Sequence, residues 1–339
     1  MLPLTARQQD SDVKKPEPKT LLFGILAGIT AALLVLGANA QPSFAAILYA
    51  ASALPILIAG LGWGNLCTIA AIVTAAALGA VMVSPSFAVV MTVVTLAPAG
   101  WISHLANLAR PASELGGPSH LTAWYPLSDI LMQLCAMVTV GVVIVGFMIG
   151  YGPQLTDQLV DVMMTQMQQQ DPTFASNVDV IDQTKRLVVL VLPMTQGGLW
   201  VILLFAAYYF ATRLVGASGR ALRPREDMPS ALRMNRNAIF VFLGGLLACF
   251  FGGVPALVGA TVFGTFGAGF LLAGFAALHF RTRGKSWRVP ALILAYLAAT
   301  MVLPALAILV LGLTDTRRAI ALTPSGAPQS KNNETTPDI

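Results

Sequence analysis

Polar and apolar positions segregate along this chain on the scale of whole helices. Between Thr20 and Leu313 there are nine runs of about twenty residues, each almost free of charge, separated by short polar or glycine- and proline-bearing breaks. At a rise of ~1.5 Å per residue, such a run matches a hydrocarbon slab of ~30 Å. The pattern predicts an all-α fold, a polytopic transmembrane helix bundle of about nine spans. The runs begin near Thr20, Phe44, Leu66, Phe87, Leu127, Leu187, Ala238, Ala256 and Val289. Gln41-Pro42-Ser43, Gly62-Trp63-Gly64-Asn65, Ser84-Pro85-Ser86 and Gly252-Gly253-Val254-Pro255 supply tight turns between them.

Three segments lie outside the runs. Residues 1–18 are polar and proline-bearing and read as a disordered cytoplasmic tail; residues 319–339, rich in Pro, Ser, Thr and Asn, read as a second one. Residues 19–318 then form the bundle, with an extracytoplasmic segment at 152–186 whose first half places Leu155, Leu159, Val162, Met163 and Met167 near one side at helical spacing. That helix is amphipathic, suited to lying on the membrane or covering the bundle. The basic leader (Arg7, Lys14, Lys15, Lys19), the run Leu21–Leu36 and Ala38-Asn39-Ala40 together mimic a signal peptide cleaved before Gln41. The length of leader and run, and the acidic Asp10, Asp12 and Glu17, favour a retained first span.

Composition agrees with a lipid environment: 56% of the 339 residues are hydrophobic and 10% are charged, against roughly 25% charged in ordinary soluble domains. The net charge of +5 does not point to nucleic acid, because the basic residues fall in loops rather than along one face. They set orientation instead. With the N-terminus cytoplasmic, nine crossings place the Arg220–Arg236 and Arg281–Arg288 loops inside and the acidic 152–186 segment outside. The same threading leaves Arg317 and Arg318 outside, against the rule. Cys67, Cys135 and Cys249 lie within apolar runs without metal-ligand spacing and read as small buried hydrophobes.

Candidate chemistry is sparse. His104, Asp129 and His279 lie in or beside the runs near predicted cytoplasmic ends and read as groups reaching the interface. No mid-bilayer relay of acidic or basic groups can be written, which disfavours proton-coupled transport but leaves room for a neutral solute held by polar side chains. Asn65, Gln133, Gln196 and Tyr208 are the candidate ligand-binding residues. Gln196 stands out, because Pro193 and Gly197-Gly198 flank it and favour an opened helix backbone. Gly24, Gly28 and Ala32 form a small-residue row on the first helix, with Ala27 and Ala31 beside it; such rows serve contact within a bundle or docking of a partner membrane protein. Metalloprotease, serine-hydrolase and phosphate-loop signatures are absent, so the chain reads as no enzyme, with no cofactor and no metal.

Several short motifs carry a resemblance: Ser52-Ala53-Leu54-Pro55 with Gly60-Leu61-Gly62-Trp63-Gly64, Leu96-Ala97-Pro98-Ala99-Gly100, Met228-Pro229, and Leu311-Gly312-Leu313-Thr314-Asp315 followed by Arg317. In their order the chain resembles the YybS-like family of bacterial membrane proteins of unknown function, and more distantly the substrate-capture subunits of energy-coupling-factor importers. The resemblance implies a multi-pass protein of the bacterial inner membrane that binds a small solute and docks a membrane partner, with Ala27 and Ala31 in the docking row. More spans than a six-helix capture subunit, and the added acidic segment, set this chain apart. Two readings stay open: a small-solute-binding or transport-related subunit, and a structural or assembly protein without transport activity.

Overall fold

The computed structural model describes residues 18–170 and 178–324. The proposed tail at 1–18 lies outside them except for Pro18, as does the second tail from 325 onward. Every one of the nine apolar runs is helical. The helices are α1 (Pro18–Ala40), α2 (Ala45–Ala51) and α3 (Ala53–Trp63), α4 (Asn65–Met82), α5 (Pro85–Met91) and α6 (Ala97–Ala106), α7 (Leu127–Met148), α8 (Pro153–Gln170), α9 (Val178–Ala217), α10 (Met228–Ala231), α11 (Asn237–Ala248), α12 (Gly253–Arg281), α13 (Arg288–Ala298) and α14 (Val302–Thr314). The pairs α2/α3 and α5/α6 each make one span. In the second of these, Pro98 has no N–H for the carbonyl of Val94, and the turn before it is wound as a π-helix over Thr92–Leu96.

Among the described residues seven helices are long and apolar enough to cross a bilayer, and the pair α13/α14 makes an eighth if counted as one span. Large apolar side chains such as Leu22, Leu33, Phe147, Phe240 and Leu294 stand exposed around the bundle. Water would penalise that surface, whereas lipid tails accept it. The protein is a multi-pass α-helical membrane protein.

Contact between helices is made by residues without bulk. The Cβ of a residue replacing Gly24 would lie 2.6 Å from the carbonyl oxygen of Cys67, and one replacing Gly28 would collide with the carbonyl of Ala71. Ala31 and Ala32 are buried, and Ala27 packs against the core. At Gly24 and Gly28 the row lies against α4 of the same chain, and Ala31 and Ala32 are buried, which is the bundle-contact alternative of the two. The same device joins α9 to α12, where Gly264 lies against the carbonyl of Met194 and Gly197 against Thr265. Helix α9 runs unbroken through Pro193, so the expected opening of its backbone does not occur; the glycines serve close approach instead. Thr139 and Thr265 share a hydrogen bond of 2.7 Å between α7 and α12.

One end of the bundle collects the basic residues. Asn65 at the start of α4 meets His104 near the end of α6, Asn107 reaches the Gly60 carbonyl in α3, and Arg283 after α12 pairs with Asp227. The last apolar run both starts and finishes at this end. Its two halves bend by 117° at the extended residue Met301, Gly274 of α12 takes the Ile308 carbonyl against its backbone, and Arg318 beyond α14 reaches Asp129 at the start of α7. The hairpin returns Arg317 and Arg318 to the side of the other arginines, which removes the conflict in the charge distribution.

A three-stranded antiparallel sheet caps the same end: β1 (Ala109–Pro111), β2 (Leu121–Trp124) and β3 (Leu322–Pro324), in that order. Thr122 is in register with Pro111 on one side and Thr323 on the other. The segment read as a tail from residue 319 is thus ordered as far as Pro324, because backbone pairing and the Trp124 Nε1–Thr323 Oγ1 bond of 2.9 Å offset its low apolar content. At the opposite end, α8 packs on α9 through buried Thr156 and Val160. Its predicted face behaves differently: Leu159, Val162 and Met163 remain exposed, as suits a helix lying at a membrane surface; the side chain of Met167 is outside the described residues.

Candidate functional site

The four candidate ligand residues do not converge. Asn65 is exposed, with its Nδ2 2.8 Å from His104 Nδ1. Gln133 is half-buried on α7, one turn beyond Asp129. Gln196 lines a cleft of about 140 Å³ with Tyr151, Pro193 and Thr261, between α7, α9 and α12. Tyr208, twelve residues further along α9 and hence ~18 Å away, lines a separate and much larger cavity.

That larger cavity is a basin of about 1200 Å³ open at the basic end. Its construction follows from how α9 stops. Gly219 takes a positive φ of 68°, a conformation glycine adopts without the cost a Cβ imposes, and the chain then loops through Arg223, Pro224 and Arg225 back toward α10. Arg223 holds this loop: its Nε donates to Glu226 Oε1 at 2.7 Å and its Nη1 to the Ala106 carbonyl at 3.4 Å. Asp227 pairs with Arg283; hydrogen bonds from Arg283 and Ser230 hold its carboxyl below the usual carboxylate range. Tyr208, only 2% exposed, forms part of the floor with Leu61 and Leu127.

Five arginines line the basin, at 213, 223, 225, 283 and 288, against Glu226 and Asp227. Two of the five are neutralised by those carboxylates, which leaves three positive charges. Arg213 donates from Nε and Nη2 to the Tyr209 hydroxyl at 3.1 and 2.9 Å, a neutral acceptor that orients the guanidinium without cancelling its charge. Arg225 and Arg288 make no ion pair among the described residues. Asn107 also borders the basin; its Nδ2 is spent on the Gly60 carbonyl at 2.8 Å, and its Oδ1 is buried without a partner. This combination of guanidiniums at a partly apolar, recessed surface is suited to holding an anion.

Beside the basin lies a buried ionic latch that no sequence spacing indicated. Arg233, 1% exposed, donates to Asp315 Oδ2 at 2.7 Å and to the carbonyls of Pro229 and Leu232 at 2.9 and 2.7 Å. Burial lowers its pKa, and Asp315 opposes that shift. Asp129 accepts from Asn235 at 2.6 Å and from Arg318 at 2.8 Å, and the Arg317 N–H donates to the Met234 carbonyl at 3.2 Å. Residues 232–235 are non-helical and run beside α12, with Met234 against Gly269. Protein groups satisfy this backbone: the Leu232 carbonyl accepts from Arg233 and the Met234 carbonyl from the Arg317 N–H. The latch joins the start of α7, the approach to α11 and the end of α14.

No group of three His, Cys, Asp or Glu residues among the described residues is placed to hold a metal ion. Comparison with family models, with curated proteins and with solved structures finds no match for this chain.

Proposed function

We propose that the protein is an inner-membrane, solute-binding subunit that takes up a small anionic molecule in the arginine-lined basin, with its basic end and N-terminus cytoplasmic. The basin carries the proposal: three guanidiniums without an ion pair among the described residues stand beside a cavity large enough for a metabolite. Orientation is supported by the collection of Arg213, Arg220, Arg225, Arg281, Arg288, Arg317 and Arg318 at one end, the bias that retains loops on the cytoplasmic side. An anion replaces the neutral solute expected from sequence, because Tyr208 is the one candidate ligand residue bordering the basin and its neighbours there are cationic. The YybS-like resemblance and the transport-related role it implies belong to this proposal. So does a membrane partner; with the α1 row occupied, its docking surface would lie elsewhere.

The test is a thermal-unfolding screen of the detergent-purified protein against inorganic phosphate, sulfate, citrate and a panel of phosphorylated metabolites, beside neutral sugars and amino acids. Stabilisation by one or more anions, weakened in Arg225→Gln and Arg288→Gln, is expected. Equal indifference of wild type and variants to every anion would remove the proposal. The structural or assembly reading predicts a stable membrane partner recovered by cross-linking.

A further inference from the structure

Resting on the anion-binding reading of the basin, we infer that its occupant is a phosphoryl-headed amphiphile, with its charged group among Arg213, Arg225 and Arg288 and its apolar portion leaving sideways past Phe210 and Leu222. The argument starts from what lies next to the charges. A freely soluble anion needs only its charged group matched, whereas exposed aromatic and aliphatic side chains that run from the charges to the lipid-facing surface suit a ligand with an apolar portion. Here the basin is bordered by Phe210, 57% exposed, and Leu222, 52% exposed. Phe210 lies on α9 among residues that form the outer, lipid-facing surface, with Leu214 exposed one turn further on.

Depth agrees with this. Arg213 precedes the end of α9 at Ala217 by four residues, ~6 Å along the axis, which is the level at which an arginine within an apolar helix reaches the headgroup layer. Arg288 opens α13, an exposed helix with no buried residue, and lines the same basin as Arg213. A phosphoryl group accepts several N–H donors at once from guanidiniums that have no carboxylate of their own. The cavity volume exceeds the ~300–1000 Å³ usual for a drug-sized ligand, and a headgroup with the first part of its chains accounts for the excess. Tyr208 and the floor at Leu61 and Leu127 then face the headgroup from beneath.

The experiment is native mass spectrometry of the full chain released from micelles containing equimolar phosphatidylglycerol and phosphatidylcholine, with sn-glycerol 3-phosphate as the chain-free competitor. Phosphatidylglycerol should be retained preferentially. That preference should fall about fivefold in Arg225→Gln and in Arg288→Gln, and about 25-fold in the double variant, while Arg225→Lys keeps most of it. Glycerol 3-phosphate at equal concentration should not displace the lipid. Displacement by glycerol 3-phosphate as effective as by lipid would overturn the amphiphile while leaving an anion site in place. No preference over phosphatidylcholine, together with no binding of glycerol 3-phosphate, would overturn both. Unchanged thermal unfolding of the variants in detergent checks that the loss belongs to binding and not to the fold.

Discussion

Removing either member of the Arg233–Asp315 pair should destabilise the bundle unequally, and the inequality follows from burial. The Arg233 side chain is 1% exposed and that of Asp315 is 25% exposed. In Asp315→Ala the guanidinium keeps its bonds to the Pro229 and Leu232 carbonyls but loses its only counter-charge among the described residues. An uncompensated charge in such surroundings costs about 3–5 kcal/mol. In Arg233→Met the remaining carboxylate can turn to water, and a side chain of similar length refills the space, so the loss should be about 1–2 kcal/mol, near that of a charge-assisted hydrogen bond. The double variant Arg233→Met/Asp315→Ala should be more stable than Asp315→Ala alone, because no charge is then stranded. Equilibrium unfolding in mixed micelles on titration with SDS, followed by tryptophan fluorescence, measures all four proteins. Equal costs for the two single variants, or a double variant whose cost is the sum of both, would refute the argument that desolvation of Arg233 dominates the pair.

Further outcomes follow from the same geometry. Gly28→Ala should cost about 1–3 kcal/mol, since the new Cβ meets the Ala71 carbonyl and lies 2.7 Å from Thr74 Cβ. Gly37→Ala, whose Cβ meets nothing nearer than Leu48 Cδ1 at 3.8 Å, should instead gain up to ~1 kcal/mol of helix propensity in the same unfolding assay. With native cysteines replaced, single cysteines at Ser84 and Ile320 should react oppositely with a membrane-impermeant maleimide on intact cells; labelling of both from one side would disprove the returning hairpin. The Asp227–Arg283 tie should persist through the ordinary titration range of a carboxylate and be lost only as pH falls through the lowered value of Asp227, because a depressed folded pKa stabilises above the unfolded pKa and not below the folded one. Hydrogen exchange of the 220–230 loop against pH reads this directly, and protection lost at or above the ordinary carboxylate pKa would contradict it.

Helix positions were legible because each apolar run is bounded by residues that suit turns, as Gly64, Ser84 and Gly252 show. Direction was not. The run from Val289 reads as one span by hydropathy, since the bend at Ala299–Met301 is itself apolar; Pro304 and the misplaced Arg317 and Arg318 were its visible traces. Small-residue spacing marked a close-contact surface on α1 but carried no information on which helix would fill it. The basin was concealed for a different reason. Its arginines come from α9, two loops and α13, so no local pattern joins them, and Arg213 sits inside an apolar run whose average hides a single charge. Tyr208 borders the basin, whereas Asn65, Gln133 and Gln196, chosen as polar groups within spans by the same criterion, lie elsewhere.

The pairing of β2 with β3 has a consequence for the order of assembly. Trp124 and Thr323 are 199 residues apart in the chain, and every helix after the first four spans is synthesised and inserted between them. The strand that closes the cap is made after the last hairpin has turned back, so the arginine-rich face is finished only once every helix has been synthesised. Until then the edge of β2 waits unpaired. A chain halted between the end of α14 and residue 322 would leave a bundle already threaded through the lipid but with its sheet cap unclosed, a difference that a quality-control protease could read.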